Sequence, residues 1–412
     1  MPSRRVRLSL ALTTAAVSLG GALVFVGFAP AGTTPVSAPV RSVSQSASPS
    51  SVAAKLGPAT YITSPAPTPT PTSKPAPSPT PDNGIHVDCE KGDDSNKGTL
   101  AQPLRSIGAA TSREGAVIEL ARGCTWPATT IQLQGKGTVL TAYGSGALPV
   151  IDGGMADADS VVVLTGANQV LENVRVTNAK GNAVEIQGER GAVRSSTIDH
   201  AGVGVLLKAT GASVDGVTVR DLHMVLDTPG GDDDYGAFGF AVQANGVDIG
   251  RSSCTNCRAP SNDYGYDGGF VEVWNYADDL DVHDNTGSNT QGILEIGADR
   301  PDSSARGIRL RDNTFRESHG GLVLHTDGTF AIADAEIAVT GNTISSTGSQ
   351  DPPILDGDLT NVTFDGNTVS TASFVSHSAP ASHRCNSITL RGGAEVGYQR
   401  DSTEKLGGRS AC

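Results

Sequence analysis

The stretch that decides the fold is residues 264–300, YGYDGGFVEVWNYADDLDVHDNTGSNTQGILEIGADR. It contains one short pattern twice, GFVEVW at 269–274 and GILEIG at 292–297, so that Glu272 and Glu295 are 23 residues apart. Both runs are too short for a helix and alternate with a period of two, which predicts β-strands. A repeat of this length made of strands and turns is typical of a solenoid. We therefore expect the two glutamates on adjacent rungs of a parallel β stack.

The N-terminal part of the chain has the composition of targeting and linker segments. Three arginines precede an apolar run over residues 8–28, which is followed by Ala-Pro-Ala. This order predicts a secretory signal over 1–31, and an uncleaved membrane anchor is the alternative because the run is long. Residues 32–83 are rich in Ser, Thr, Ala and Pro, which predicts a disordered linker. We expect residues 84–412 to form one exported domain, either secreted or tethered to the membrane at the cell surface.

All the cysteines lie in the exported part, at Cys89, Cys124, Cys254, Cys257, Cys385 and Cys412. An even number of cysteines in an oxidising compartment predicts disulfides. We expect Cys89 to pair with Cys124 and Cys385 with Cys412, which would fasten both ends of a solenoid. Cys254 and Cys257 would then close a local loop. A zinc site would need a second pair at similar spacing, and the sequence has none.

The charge of the chain excludes one class of partner. The formal net charge is −13 and only 4% of the residues are aromatic. A nucleic-acid-binding domain would show a basic stripe instead. The composition favours a secreted protein rich in glycine and short polar turns.

Short runs with apolar residues at alternate positions recur at 170–176, 214–219, 247–249, 280–282, 308–310, 337–339 and 362–364. Several of them close on the same Asn-Thr pair, at Asn285, Asn313, Asn342 and Asn367. Asparagine tolerates left-handed backbone angles, so we expect it to form a tight bend at the same place on successive rungs.

These features resemble the right-handed parallel β-helix proteins of the pectin-lyase-like superfamily. The resemblance rests on the opening GDDSNKGT at 92–99, the AYG…PVI segment at 142–151 and the Asn-Thr turns. It implies an all-β, single-stranded right-handed parallel β-helix from about residue 85 to the C-terminus. Residues 103–110 begin with a proline and predict a short N-terminal capping helix. The superfamily includes polysaccharide lyases, glycoside hydrolases, uronate epimerases and phage tailspikes, so the resemblance implies a polysaccharide partner without choosing the reaction.

The repeated strand predicts a catalytic pair. Apolar residues that face the core leave Glu272 and Glu295 in an outward column. Neighbouring strands lie about 4.8 Å apart, so we expect the two carboxyls on the order of 5 Å apart, near the ~5–5.5 Å of retaining glycosidases. Two stacked carboxylates repel each other, which predicts a raised pKa for one of them and therefore a general acid. Asp267 leads into the same strand and is the third candidate acid. A solvated pair and a pair of calcium ligands are the alternatives.

Other residues of the same face are candidate sugar contacts. Trp274 offers a flat ring beside Glu272, and the outward column also contains Lys208, Gln243 and His325. A lone outward glutamate such as Glu185 is expected to be solvated.

Two insertions, at 227–236 and 259–269, widen the rungs just before this face, as loops that build a binding cleft do. The second contains Tyr264 and Tyr266, which either stack on sugar or pack the loop. The first contains the acidic run Asp232, Asp233 and Asp234, which is a weak candidate for Ca²⁺ and otherwise a solvated loop.

Departures from known motifs limit what the resemblance implies. YGYD at 264–267 is similar to the YGFDPH motif of mannuronan epimerases, but two glycines replace the Pro-His pair. GDD at 231–233 is only a fragment of the polygalacturonase set. We therefore expect a secreted glycoside hydrolase that uses Glu272 and Glu295, assisted by Asp267. A calcium-assisted polysaccharide lyase and a non-catalytic carbohydrate-binding or adhesive surface protein are the alternatives.

Overall fold

The structure, a computed structural model, describes residues 84–111, 114–326, 328–332, 334–346, 353–374, 378–410 and 412. These residues belong to one compact unit. The predicted signal or anchor over 1–31 and the predicted linker over 32–83 lie outside the described residues. Among the described residues, no helix has the length and apolar character needed to cross a membrane.

The chain forms a right-handed parallel β-helix, as predicted from the repeat. Strands pair in parallel with the equivalent strands of the preceding and following rungs, so that three ladders run along the axis. We call them faces A, B and C. Face A is an 11-stranded sheet of Ile85–Val87, Val117–Ala121, Val139–Tyr143, Val170–Glu172, Ala192–Arg194, Ser213–Asp215, Asp248–Gly250, Asp281–His283, Ala305–Arg311, Ala335–Thr340 and Val362–Asp365.

The other two faces share two long strands that bend around the corner between them. Face B contains Thr125–Trp126, Val150–Asp152, the first parts of Arg175–Ile186 and Thr197–Leu207, Thr218–Arg220, Ser253–Thr255, Thr286–Ser288, Thr314–Ser318, Thr343–Ser346, Thr368–Thr371, Ser387–Leu390 and Lys405–Leu406. Face C contains Ile131–Leu133, Ser160–Leu164, the second parts of the two long strands, Phe238–Val242, Gly269–Trp274, Leu294–Gly297, Leu322–Leu324 and Leu355–Asp356.

One apolar core fills the space between the three faces, because every second side chain of each strand points inward. Equivalent positions stack along the axis, and the rings of Phe240, Phe270 and Phe315 follow each other with centroids 5.3 and 5.2 Å apart. Gly287 leaves room for this column, since a Cβ there would lie 2.5 Å from the Phe315 ring. Each rung therefore buries its apolar residues against its neighbours rather than within itself.

The predicted capping helix over 103–110 is wrong. Leu104 pairs with Val87 in an isolated parallel bridge, and the residues after it form bends and turns. The backbone N–H groups of Arg105 and Ser106 donate to the carboxylate of Asp94, at 2.9 and 2.8 Å, which competes with a helix for this segment. A loop therefore covers the first rung, and the only helix in the described residues is the 3₁₀ helix Gly328–Phe330.

The three expected disulfides are confirmed. Cys89 bonds Cys124 at the start of the β-helix, and Cys385 bonds Cys412 at its end. Cys254 bonds Cys257 at the corner that leads into the second insertion. The ends of the stack, which have a neighbouring rung on one side alone, are thus covalently held.

A ladder of buried asparagines runs along the corner between face A and face B, at Asn285, Asn313, Asn342, Asn367 and Asn386. Each amide oxygen accepts from the residue one rung earlier; Asn313 Oδ1 accepts from Asn285 N at 2.9 Å and from Asn285 Nδ2 at 3.0 Å. The side-chain NH₂ groups also donate to backbone carbonyls, as Asn313 Nδ2 does to Val282 O at 2.9 Å. The amide both donates and accepts, so it satisfies buried groups on two rungs at once.

The expectation that these asparagines themselves adopt the left-handed backbone angles of the bend was wrong. The left-handed φ angle falls on the residue before each of them, for example Asp284 at 54°, Asp312 at 57° and Gly341 at 67°. The bend therefore places the asparagine inward, where a side-chain amide is needed by the hydrogen-bond ladder.

Replacing a central member of the ladder, Asn313→Ala, should lower the free energy of unfolding by roughly 2–4 kcal/mol. The substitution leaves the buried backbone N–H of Asn285 without its acceptor, at ~1–3 kcal/mol. It also removes the bond from Asn313 Nδ2 to Val282 O, at about 0.5–1.5 kcal/mol. Chemical denaturation measures this loss. Asn361→Ala, at an exposed position outside the ladder, is the control and should change stability by less than about 0.5 kcal/mol. Equal effects of the two substitutions would contradict the ladder's role.

Candidate functional site

Face C aligns the predicted glutamates in one column. Backbone pairing places Glu272 directly opposite Glu295, so the expected register is confirmed. The same column continues to Ala241 and Leu206 on the preceding rungs and to Val323 on the following rung. Parallel strands lie about 4.8 Å apart, so the two glutamates begin from neighbouring backbone positions.

The acids of this site differ in how far they reach the surface. Glu272 and Asp267 are 1% and 2% exposed. The Glu295 side chain is 17% exposed, and its Oε1 lies 3.0 Å from Nε2 of His325, whose side chain is 31% exposed. Of the three predicted acids, Glu295 is therefore the one that a ligand meets first, together with His325.

Asp267 is placed by the second insertion. The hairpin Ala259–Ser261 with Gly265–Asp267 ends on this residue, and Gly268, with a φ of 117°, turns the chain into the next strand of face C. A Cβ on Gly268 would lie 2.6 Å from the carbonyl oxygen of Ala237, so only glycine fits this approach. Asp267 Oδ1 accepts from Gly268 N at 2.7 Å, and Oδ2 finds no hydrogen-bond partner in the described part of the chain.

Burial raises the pKa of the Asp267 carboxyl well above its usual range, and the charges of Glu295 and Glu272 raise it further. The single N–H bond from Gly268 acts in the opposite direction and is outweighed. The sequence predicted a raised pKa for one member of the glutamate pair. The structure places a raised pKa on the third acid, because Asp267 combines burial with two neighbouring carboxyls.

Trp274 does not offer the open ring that the sequence suggested, since it is 3% exposed. Its ring lies over Gly297 of the next rung, where a Cβ would come within 2.5 Å of it, and meets the ring of Phe330 edge to face at 5.9 Å. Phe330 belongs to the segment Gly328–Phe330, which is tied to the rung by a bond from Ala298 N to Phe330 O at 2.9 Å. This segment covers Trp274, whose Nε1 finds no acceptor among the described residues.

Lys208 and Glu185 form a site of their own on face C. Lys208 Nζ lies 3.0 Å from Glu185 Oε1 and does not extend to the predicted catalytic pair. Glu185 is 6% exposed, so the expectation that it is solvated was wrong. Ser160 Oγ and Gln187 Nε2 also donate to its carboxylate, at 2.7 and 2.9 Å.

The tyrosines of the second insertion have different surroundings. Tyr264 donates its hydroxyl to Asp232 Oδ1 at 2.6 Å and so joins the two insertions. Tyr266 is 42% exposed and carries the guanidinium of Arg258 over its ring at 3.3 Å. Gln243 lies half-buried at the end of its face C strand. The sugar-binding roles of these residues stay predictions.

The acidic run of the first insertion connects the two insertions. Carboxylate oxygens of Asp233, Asp234 and Asp263 lie within 4.8 Å of one another, and such oxygens are ligands that Ca²⁺ prefers. Asp234 is buried, however, and accepts from Ser261 Oγ at 2.6 Å and from Asp263 N at 2.8 Å. Burial alone would raise the pKa of Asp234, but these bonds and one from Thr228 N outweigh it and lower the pKa. These hydrogen bonds therefore account for the buried position of Asp234 in the acidic run.

One buried carboxylate that the sequence reasoning missed lies on face B. Asp199 accepts two bonds from Arg175, at 2.8 Å each, and others from Arg220 and Thr177. Burial acts to raise its pKa, and the bonds from Arg175, Thr177 and His200 outweigh it, so the pKa is lowered. The signal in the sequence was an arginine on the strand on each side of Asp199, with Arg220 directly opposite it and Arg175 two positions earlier in register.

No family model matches the sequence, and no curated protein matches it. Among solved structures, XylC with xylose has a TM-score of 0.53 at 10% identity, over 71% of this chain and 70% of that chain. A double mutant of the tailspike protein of E. coli bacteriophage HK620 gives 0.51 at 13% identity, over 79% and 67%. A tailspike mutant in complex with a pentasaccharide gives 0.50 at 11% identity, over 72% and 55%. Identities this low support the β-helix fold alone.

The raised pKa of Asp267 predicts that Asp267→Asn stabilises the protein at neutral pH. A carboxyl whose pKa is raised by folding contributes stability that is complete below the unfolded pKa, about 3.9, and lost as the pH rises through the folded value. An amide stays neutral and avoids this loss. Thermal unfolding should show little difference from wild type at about pH 3.5, and a higher midpoint than wild type at about pH 8.

Asp199→Asn is the matched control, with the opposite sign. Its lowered pKa contributes stability that is present above the unfolded pKa and lost as the pH falls. This variant should lose roughly 1–3 kcal/mol at about pH 8, since its arginine partners are partly exposed, and little in acid. A loss of stability at about pH 8 in both variants would show that Asp267 is ionised in the folded protein.

Proposed function

We propose that this chain is an exported carbohydrate-active protein that hydrolyses glycosidic bonds. The observation that carries the proposal is the buried carboxyl of Asp267, whose raised pKa favours the protonated form, beside the solvent-reaching Glu295. Glycoside hydrolysis needs two carboxyl groups with different protonation states, and different environments produce that difference. The fold of the pectin-lyase-like proteins suits such a site, because adjacent rungs bring side chains into register.

In the proposed reaction, Asp267 gives its proton to the glycosidic oxygen as the bond to the anomeric carbon breaks. Glu295 either attacks the anomeric carbon or takes a proton from the attacking water. Nε2 of His325 lies 3.0 Å from Glu295 Oε1, a contact that orients the carboxyl of Glu295 toward the substrate. The charge of Glu272 helps to keep the proton on Asp267.

The burial of Asp267 sets a requirement on this reaction. At 2% exposure it cannot touch a substrate while the second insertion stays in place. The hairpin that ends on Asp267 must therefore shift when a glycan binds. Movement of loops on substrate binding is a common step in enzymes and also excludes water from the site.

Structural neighbours support the carbohydrate theme. The XylC structure contains xylose, and a tailspike structure contains a pentasaccharide. The leader and the Ser/Thr/Pro-rich linker predicted from the sequence would place the domain outside the cell, where such glycans occur.

A second candidate is glycan binding without cleavage. The observation that favours it is that two of the three candidate acids, Asp267 and Glu272, are buried. A binding protein requires only the exposed residues of the face, among them Glu295 and His325. Saturable binding without new chain ends would distinguish it from a hydrolase.

Glu295→Gln should abolish most turnover. We expect a fall of about 10²–10⁴-fold in kcat, the usual contribution of a general acid or base, without a change in thermal stability. The measurement follows reducing ends and ultraviolet absorbance when the full-length protein is incubated with a panel of polysaccharides, with calcium and with chelator. Reducing ends alone indicate hydrolysis, and absorbance that needs calcium indicates a lyase.

Glu189→Gln is the matched control for this substitution. Its side chain is 66% exposed and pairs with the adjacent Arg190, outside the site. It should keep full activity on every glycan that the unmodified protein cleaves. Undiminished cleavage by Glu295→Gln would reject the proposed role of Glu295.

A further inference from the structure

A second polar site lies on face C, several rungs before the carboxyl cluster. A cavity of about 320 Å³ opens there, and its polar side chains are Thr130, Gln132, Asp159, Ser160, Glu185 and Gln187. Glu185 and Ser160 are 6% and 8% exposed, whereas Gln132 is exposed at the rim. The cavity is thus a concave site with a buried carboxylate at its base and amides at its edge, the form of many small-ligand sites.

The carboxylate of Glu185 is held in place from three sides. Ser160 Oγ donates to Oε2 at 2.7 Å, while Gln187 Nε2 and Lys208 Nζ donate to Oε1 at 2.9 and 3.0 Å. Burial alone would raise the pKa of Glu185, but these bonds outweigh it and lower the pKa. A fixed negative charge therefore lies at the base of the cavity.

The β-helix does not need a carboxylate at this position. Val163 and Leu206 occupy the equivalent positions on the rungs before and after Glu185. Both are apolar, and both are 8% exposed. An apolar residue would therefore fit this column, and a buried charge costs free energy unless other groups compensate it. The set of Ser160, Gln187 and Lys208 around Glu185 is more than the fold requires.

The cavity and the carboxyl cluster lie on the same face, but the shortest path between them is covered by apolar side chains. Three rung steps separate Glu185 from Glu272, which is about 14 Å. The direct path is covered, because Val225 and Tyr235 pack over Leu206 and Ala241.

The next outward column stays accessible. It contains Gln187, Lys208 and Gln243 on successive rungs, joined by backbone bonds from Lys208 N to Ile186 O and from Gln243 N to Leu207 O. The Lys208 side chain is 45% exposed. A chain-like ligand that follows this column passes beside the apolar cover and arrives at His325 and at the segment Gly328–Phe330, which covers Trp274.

We propose that the cavity at Glu185 is a distal glycan subsite that binds a neutral or amino sugar, so that the substrate is an extended glycan lying along face C. The inference rests on the proposed function where it treats the two sites as parts of one binding track. The lining offers carboxylates, amides and a hydroxyl, which suit sugar hydroxyl and amino groups.

The charges of the site exclude acidic sugars. Asp159 and Glu185 contribute two carboxylates, and the neighbouring cation, Lys208, is already paired with Glu185. The whole chain has a formal net charge of −13. A polyuronate would be repelled by like charge at the cavity and by the field of the protein.

The test measures binding of glycan oligosaccharides to the full-length protein carrying Glu295→Gln, which prevents cleavage during the measurement. The probes are xylo-oligosaccharides, chitosan oligosaccharides and oligogalacturonides of increasing length, followed by calorimetry. Gln132→Ala and Gln187→Ala are added singly, because neither removes the buried carboxylate. Each should weaken binding of long neutral or amino oligosaccharides about tenfold, the effect of one lost hydrogen bond or slightly more, and leave short ones unchanged.

Gln102→Ala is the matched control, since Gln102 is exposed on an N-terminal turn away from face C. It should bind every probe like its parent. In the cleaving protein, Gln187→Ala should raise KM for long substrates without lowering kcat, the pattern of lost binding alone.

The outcomes separate this inference from the proposed function. If Gln132→Ala and Gln187→Ala weaken oligosaccharide binding but wild type cleaves no glycan, the subsite is supported and the hydrolase is rejected. Cleavage by wild type with unchanged binding and KM in both variants rejects the subsite and keeps the hydrolase. Tighter binding of oligogalacturonides than of neutral oligosaccharides, or no binding of any probe, overturns the subsite.

Discussion

Parallel hydrogen bonding between rungs is the constraint on which the rest of this structure depends. A single rung has no partner for its backbone and too little apolar surface to bury alone, so every element is stabilised by the rung before and the rung after. The asparagine ladder extends this pairing through a corner, where the backbone bends and side-chain amides such as Asn313 replace part of the ladder. The same register brings Glu272 opposite Glu295, so the geometry of the candidate site follows from the pairing that stabilises the fold.

Burial acts to raise the pKa of each buried acid, and the hydrogen-bond donors around it decide whether that effect is outweighed. Asp267, Glu185 and Asp199 are each less than 9% exposed. Arginines and a hydroxyl surround Asp199, and a serine, a glutamine and a lysine surround Glu185, so the pKa of each is lowered. Asp267 has one backbone N–H and two carboxyl neighbours, and its pKa is raised. One molecule thus holds buried carboxyls with raised and with lowered pKa values.

The two insertions divide face C into covered and accessible regions. The strands Met224–Leu226 and Tyr235–Gly236 form a hairpin that lays Val225 and Tyr235 over the middle of the face. The hairpin of the second insertion carries Asp267 to the carboxyl cluster. Asp234 ties the hairpins together through Ser261 and Asp263, so they form one cover. Polar groups remain accessible on both sides of this cover and along the column of Lys208, an arrangement that suits a long glycan better than a small sugar.

The sequence by itself determined the features that depend on local period. Alternation determined which residues of each strand face outward, and the repeat determined the pairing of Glu272 with Glu295. The cysteines near the ends of the domain predicted two disulfides, and the short spacing of Cys254 and Cys257 predicted the third. Tertiary structure alone decided the features that depend on residues distant in the chain. Asp94 holds residues 103–110 in a loop, Phe330 covers Trp274, and Glu295 and Glu272 raise the pKa of Asp267. Solvent exposure and electrostatics are sums over spatial neighbours, and a period in the sequence identifies only the neighbours along the stack.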